Sequence, residues 1–235
     1  MIHIGYYTDN NVSHSVMKAF SRSGIIVTHI KNFRPDLTPI FYGILRGCGT
    51  AMRLMQHLKK DYYYVDNGYF DAHYMDLNKR KEMSGKYRIV KNAKIETMCI
   101  NPKKTSTEKL RVLILPPSPY TAFMHDTIPE DWNVESIKRI QAAGHSHHVR
   151  NKDEQRTLRK QLSDFDAVYA FNSMGVVEAI ELGKAVYTTH GIIRNRDLME
   201  IGAAPYYDID EIRKFYDSKQ FTLEEIADRG VKCLI

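Results

Sequence analysis

Between Phe171 and Thr189 the chain reads FNSMGVVEAIELGKAVYTT, and no other stretch constrains the fold as tightly. An apolar strand, Ala167 to Phe171, is expected to run into a small polar turn at Asn172-Ser173. A helix should open at that turn, with Gly175, Glu178 and Ala179 in its first turns. Gly183 should end it, and a second short strand, Ala185 to Thr188, should follow. Such a unit places backbone N–H groups and a helix N-terminus at the carboxyl edge of a parallel sheet, a setting suited to phosphate. Glu178 lies just inside, where a carboxylate can accept hydrogen bonds from ribose hydroxyls. The same residues also describe an ordinary α/β unit with a capping serine.

The alternation extends along the chain. Ile2 to Tyr7 reads as a strand, Ser13 to Arg22 as a helix capped by Ser13, and Ile25 to Thr28 as the next strand after Gly24. Pro39 to Leu45 is a further apolar run, Thr50 to about Lys60 a helix, and Asp61 to Asp66 a tyrosine-rich strand. From Gly68 to Asn92 the pattern breaks into a polar, basic and aromatic excursion over the surface. Ile100 to Glu108, with Asn101-Pro102-Lys103-Lys104, is the linker candidate. A fresh alternation begins at Arg111 to Leu115. It continues through a helix at Asn133 to Ala142, a strand at His147 to Arg150 and a helix at Glu154 to Leu162. Two helices, Asp210 to Tyr216 and Leu223 to Asp228, close the chain. Repeated βα units imply a parallel sheet. The expected fold is therefore α/β, with two Rossmann-like halves facing a cleft, 1–105 (basic excursion near 71–94) and 106–235. A single doubly wound sheet with a long insertion near residue 80 is the alternative.

Composition excludes several classes. No run approaches the roughly 20 apolar residues that span a bilayer. The first residues, MIHIGYYTDN, lack the basic-then-apolar layout of a signal peptide, so a cytoplasmic location without a membrane partner is expected. Cys48, Cys99 and Cys233 lie far apart with no CxxC pair, which argues against a disulfide framework or a structural zinc site. The net charge of +6 favours an anionic partner such as nucleic acid, nucleotide or acidic glycan.

Four further segments can carry chemistry. Tyr64-Val65-Asp66-Asn67-Gly68-Tyr69-Phe70 sets a carboxylate and a flexible turn at a strand's end, with Tyr69 and Phe70 as an apolar platform for a sugar or a base. A plain turn after a buried strand explains it equally well. Gly43-Ile44-Leu45-Arg46-Gly47 precedes a helix and can cradle phosphate or an acceptor, yet lacks the lysine and hydroxyl of a P-loop. Ser118, after Pro116-Pro117, can donate to a phosphate oxygen. His145-Ser146-His147-His148-Val149-Arg150-Asn151-Lys152 offers no acidic or cysteine partner at metal-ligand spacing, so no metal is assigned. A strand presenting Arg150 and Lys152 to a diphosphate is the preferred reading.

The pattern Asn172-Ser173-x-Gly175-x-x-Glu178-Ala179, then Gly183-Lys184-x-Val186, resembles the donor-binding half of GT-B glycosyltransferases. The likeness is to capsule-type sugar transferases and to a set of tailed-phage proteins. In the phage proteins a similar Asp66-Asn67-Gly68-Tyr69-Phe70 turn is followed by residues matching Tyr87, Arg88 and Asn92. The resemblance covers roughly 43–189 and departs from the capsule enzymes in lacking their His-Pro pair near His148. It implies a metal-independent transferase with a nucleotide-sugar as co-substrate and no other cofactor. Ser118, Asn172, Ser173, Gly175 and Glu178 would bind the donor, and Arg150 and Lys152 would neutralise the leaving diphosphate. Asp66 would be the base, and Arg46, Gly47, Asn67, Tyr69 and Arg88 would meet the acceptor, a glycan or modified phage DNA. A non-catalytic nucleic-acid-binding protein on the same fold, or a sugar-nucleotide epimerase or hydrolase, are the alternatives.

Overall fold

The computed structural model describes residues 2–68, 85–92, 98–100, 104–105, 109–151, 154–190, 193–195, 203–204 and 208–234. In chain order the first elements are β1 (His3–Tyr7), α1 (Asn11–Arg22), β2 (Ile26–His29), β3 (Thr38–Tyr42), α2 (Cys48–His57), β4 (Tyr63–Asn67) and β5 (Tyr87–Lys91). Then come β6 (Met98–Ile100), β7 (Lys104–Thr105), β8 (Arg111–Leu115), α3 (Pro119–Met124), α4 (Pro129–Ala142), β9 (Ser146–Val149) and α5 (Leu158–Leu162). The chain continues with β10 (Ala167–Ala170), α6 (Gly175–Glu181), β11 (Ala185–Thr188), β12 (Ile193–Asn195) and β13 (Ala203–Ala204). It closes with α7 (Ile209–Asp217), β14 (Gln220–Phe221) and α8 (Leu223–Arg229).

The chain forms two compact units, Met1–Lys94 with Arg213–Ile235, and Ile95–Ile212. The first contains a six-stranded sheet in the order β14-β5-β4-β3-β1-β2. Its β2, β1, β3 and β4 run parallel, β5 is antiparallel to β4, and β14 pairs antiparallel with β5. The second contains a four-stranded parallel sheet in the order β11-β10-β8-β9. In each sheet, the first strand lies between the second and the third, with the fourth outside the third. Each half is thus Rossmann-like, with its own switch point between first and third strands.

Local chemistry explains most boundaries. Asn10, not Ser13, caps α1, its Oδ1 accepting from the N–H groups of Val12 and Ser13 at 2.8 and 3.3 Å. The Ser13 hydroxyl instead accepts from the Thr8 N–H at 3.0 Å, tying the helix to the end of β1. Gly24 takes φ 88°, the left-handed geometry that stops a helix without a Cβ penalty. In β8, Val112, Leu113, Ile114 and Leu115 are all buried, the continuous apolar run of a strand covered on both faces.

The first unit's core joins Val16, Met17 and Phe20 of α1 to Ile40 of β3, Val65 of β4, Tyr87 of β5 and Ile226 of α8. The second packs Val112 and Ile114 with Ala167, Tyr169, Tyr187 and Ile140.

Three findings depart from the sequence expectation. The excursion contains a strand: β5 pairs antiparallel with β4, setting Asp66 opposite Arg88. The division falls at Lys94 rather than at 105, and the linker candidate takes in the last residue of the short strand β6 and all of β7, within the second unit. The last residues return to the first unit, because β14 pairs with β5 and Ile226 of α8 joins the core built on α1. A pairing partner more than 100 residues away leaves no local pattern to read.

Candidate active site

The second unit's switch point lies between β8 and β10, and hydrogen bonds draw four strand ends together there. Phe171 N–H donates to the Leu115 carbonyl at 3.3 Å, and Arg150 N–H to the Ile114 carbonyl at 3.0 Å. Thr189 N–H donates to the Ala170 carbonyl at 3.1 Å and His190 N–H to the Phe171 carbonyl at 2.9 Å. The carboxyl edge therefore collects Ser118, Asn172, Ser173, Arg150 and His190.

Ser118 caps α3. Its Oγ accepts from Thr121 N–H at 3.1 Å and lies 2.8 Å from the Thr121 hydroxyl. Ser173 Oγ accepts from Gly175 N–H at 3.1 Å, which leaves its hydroxyl proton to donate. Gly175 starts α6 because a Cβ there would lie 2.4 Å from Leu158 Cδ2 and 3.2 Å from Leu115 Cδ1. The helix is only seven residues long, so its dipole adds little and anion recognition falls to side chains.

Glu178 is half-buried, and its carboxylate makes no hydrogen bond or ion pair among the described residues. Burial raises its carboxyl above the usual glutamate value. The cations of Arg159 and Arg150 oppose that shift and Glu181 adds to it. A carboxylate that has lost part of its hydration and gained no partner is a candidate functional position.

Arg150 is less available. Its guanidinium donates to the Gln161 side chain and, at 2.9 Å, to the Arg156 carbonyl, and it pairs with Glu154 at 3.7 Å. Glu154 also binds the Asn151 N–H at 2.9 Å, Gln161 at 2.7 Å and His148 at 3.2 Å. Arg150 is thus built into a network that shapes the turn after β9. His145 of the histidine run accepts from the Leu110 N–H through Nδ1 at 3.1 Å. Lys152 lies outside the described residues.

Sequence reasoning missed His125 and His190. His125 follows α3 and packs on Phe171 with ring centroids 5.3 Å apart. His190 stacks on the same ring at 4.3 Å, and the two imidazoles are 4.9 Å apart. Trp132 closes the cluster edge-on at 5.7 Å. A histidine after a helix and another after a strand, 65 positions apart, carry no joint signal in the chain.

The acceptor-side residues fall in the first unit. Asp66 Oδ2 accepts from Arg88 and from the Tyr64 hydroxyl, each at 2.7 Å, and Oδ1 accepts from Asn67 N–H at 2.9 Å. The Arg88 side chain is 6% exposed and that of Asp66 24%, so this is a largely buried pair. Three of about four acceptor positions on the carboxylate are occupied. The pairing gives Arg88 no surface for an acceptor. Asn67 accepts from the Tyr42 hydroxyl at 3.1 Å. Tyr69 lies outside the described residues. Arg46 and Gly47 are exposed, with φ 57° and 94°. The first N–H groups of α2, those of Cys48 and Gly49, already donate to Leu45 and Ile44 carbonyls at 3.2 and 3.0 Å. The turn therefore satisfies its own donors instead of opening a phosphate cradle.

No family model matches the chain, and no curated protein does. Among solved structures, the β-Kdo 2,4-transferase KpsC of Thermosulfurimonas dismutans is similar at TM-score 0.45 and 11% identity, over 92% of this chain and 98% of that one. A ribose operon repressor protein of Lactobacillus acidophilus, described as periplasmic-binding, reaches TM-score 0.28 at 9% identity, over 92% and 91%. Scores and identities this low leave the fold to be argued from the sheets themselves and the activity from the site. Among the described residues no helix is long and apolar enough to cross a membrane.

Proposed function

We propose that this chain is a glycosyltransferase that moves a sugar from a nucleotide-sugar to an acceptor hydroxyl. The observation carrying the reading is Glu178: a half-buried, unpaired carboxylate one turn inside the loop at a Rossmann-like switch point. Ribose hydroxyls would supply the hydrogen bonds it lacks. Asn172, Ser173 and Ser118, at the ends of β10 and β8, would face the phosphates. Arg150 and Lys152 would add positive charge near the leaving group, in place of a metal. Asp66, held by Arg88, would stabilise the first unit rather than take the acceptor proton.

A thermal-shift screen against UDP-, GDP-, CMP- and ADP-sugars tests this. A ligand at 100 times its dissociation constant should stabilise the protein by about 2.7 kcal/mol. No shift with any donor sinks the proposal. Release of free sugar without an acceptor would point to a hydrolase.

For the acceptor, the DNA reading rests on sequence resemblance and on the basic excursion. Of its cations, Lys86 pairs with Asp217 at 2.9 Å, Arg88 with Asp66 at 2.7 Å and Lys91 with Asp61 at 2.6 Å. Charges neutralised by their own fold contribute little to phosphate binding, so duplex affinity would fall to Lys79, Arg80 and Lys81, which lie outside the described residues. Replacing these three with alanine should flatten the log–log salt dependence of duplex binding by up to about three units, measured by fluorescence anisotropy. No binding at low salt, or an unchanged slope, would assign the acceptor to a glycan.

A further inference from the structure

Arg150 is committed to Gln161, the Arg156 carbonyl and Glu154, yet the carboxyl edge beside it must meet a polyanion if the donor reading holds. His125 and His190 are the titratable side chains that the switch point brings together and that the donor assignment leaves unused. Phe171, fully buried at the end of β10, is the anvil for both rings: it holds His125 at 5.3 Å and His190 at 4.3 Å. The two histidines reach it from α3 and from β11, on opposite sides of the switch-point strand.

Core packing alone does not account for His125. It is half-buried, and its imidazole makes ring contacts but no hydrogen bond among the described residues, whereas buried polar groups are as a rule satisfied. Burial also pulls its imidazole below the usual histidine value, against the pull of Asp126, so it is neutral at pH 7 with one N–H to give. Among the described residues no group of three histidine, cysteine or acidic side chains that could hold a metal ion forms. An imidazole N–H with no acceptor among the described residues suits a phosphoryl oxygen.

We propose that His125 and His190, positioned by Phe171, bind the phosphoryl groups of the nucleotide at this edge. The proposal rests on the donor reading above for the rest of the ligand, but not for its own probe. His125 follows Ser118 and Thr121 at helical spacing, so the hydroxyls of α3 and the imidazole at its end share one side of the helix. The imidazoles would contact phosphate directly, while Arg150, held in its network, would add charge nearby.

Inorganic pyrophosphate is the probe, titrated into the full chain while the histidine side-chain nitrogens are followed by two-bond 1H–15N NMR. The signals of His125 and His190 should move together and saturate. By calorimetry, His125→Ala should weaken pyrophosphate at least tenfold, and His125→Gln, which keeps an N–H donor, should weaken it less. His57→Ala, which removes an exposed histidine at the end of α2 in the first unit, should bind pyrophosphate like wild type. Static histidine signals, or equal affinity in His125→Ala, overturn the proposal and leave the nucleotide-sugar reading standing. If His125→Ala fails to fold, the wild-type spectra decide. Pyrophosphate binding through the histidines with no response to any nucleotide-sugar would keep this site and sink the transferase reading.

Discussion

Arg88→Ala is expected to be the most damaging single change in the first unit. Its side chain, carried on β5, is buried and holds Asp66 at 2.7 Å across the β4–β5 pair. Removing it leaves a largely buried carboxylate with only the Tyr64 hydroxyl and the Asn67 N–H. Breaking such a pair from one side costs about 3 kcal/mol or more. The change should appear as a lower midpoint in urea with an unaltered slope. Removing both partners in Arg88→Met with Asp66→Leu should recover much of the loss, because no charge is then stranded. Donor affinity per folded molecule should not change in Asp66→Asn. A variant of full stability whose transfer rate alone falls by about a hundredfold would instead make Asp66 the general base.

Glu178 is expected to behave in the opposite way, with a small effect on stability and a large one on ligand. Burial raises its carboxyl, so the fold favours the protonated form. For an acid with a raised folded value, the contribution to stability is full below the unfolded glutamate value, about 4.3, and is lost as pH rises through the folded value. Glu178→Gln should therefore be at least as stable as wild type at pH 7, with the difference vanishing near pH 4. Hydrogen bonds to a charged group are worth about 1.5–3 kcal/mol, so Glu178→Ala should weaken nucleotide-sugar binding by about 10- to 100-fold. Calorimetry at pH 7 reads the affinity, and thermal melts at both pH values read the stability. Destabilisation of Glu178→Gln at pH 7 with intact binding would make Glu178 a structural residue of α6.

What the chain determined by itself is what short-range physics controls. The alternation of apolar strands and helices announced two parallel sheets, and the covered runs at Arg111–Leu115 and Ala167–Ala170 lie where they were expected. Gly24 and Gly183, with φ 88° and 68°, stop α1 and α6 because a left-handed turn needs no partner beyond the neighbouring residues. Glu178 was legible for the same reason: its distance from the Asn172-Ser173 turn is set by helix rise alone. Caps were less secure, since Asn10 and Ser13 both qualify and only the bond from Thr8 to Ser13 separates them.

Tertiary structure decided which chemistry each side chain is free to perform. Asp66 at a strand end looks like a base until β5 folds back and sets Arg88 opposite it, a register that depends on pairing across residues 68–86. Arg150 looks like a phosphate ligand until Glu154, Gln161 and the Arg156 carbonyl close around it. His125 looks like a helix-end residue until Phe171, 46 positions later, arrives beside it. Each outcome turns on contacts between segments distant in the chain. Propensity and periodicity report only on near neighbours; strand order and loop closure, which bring such segments together, are settled by burial of the whole core.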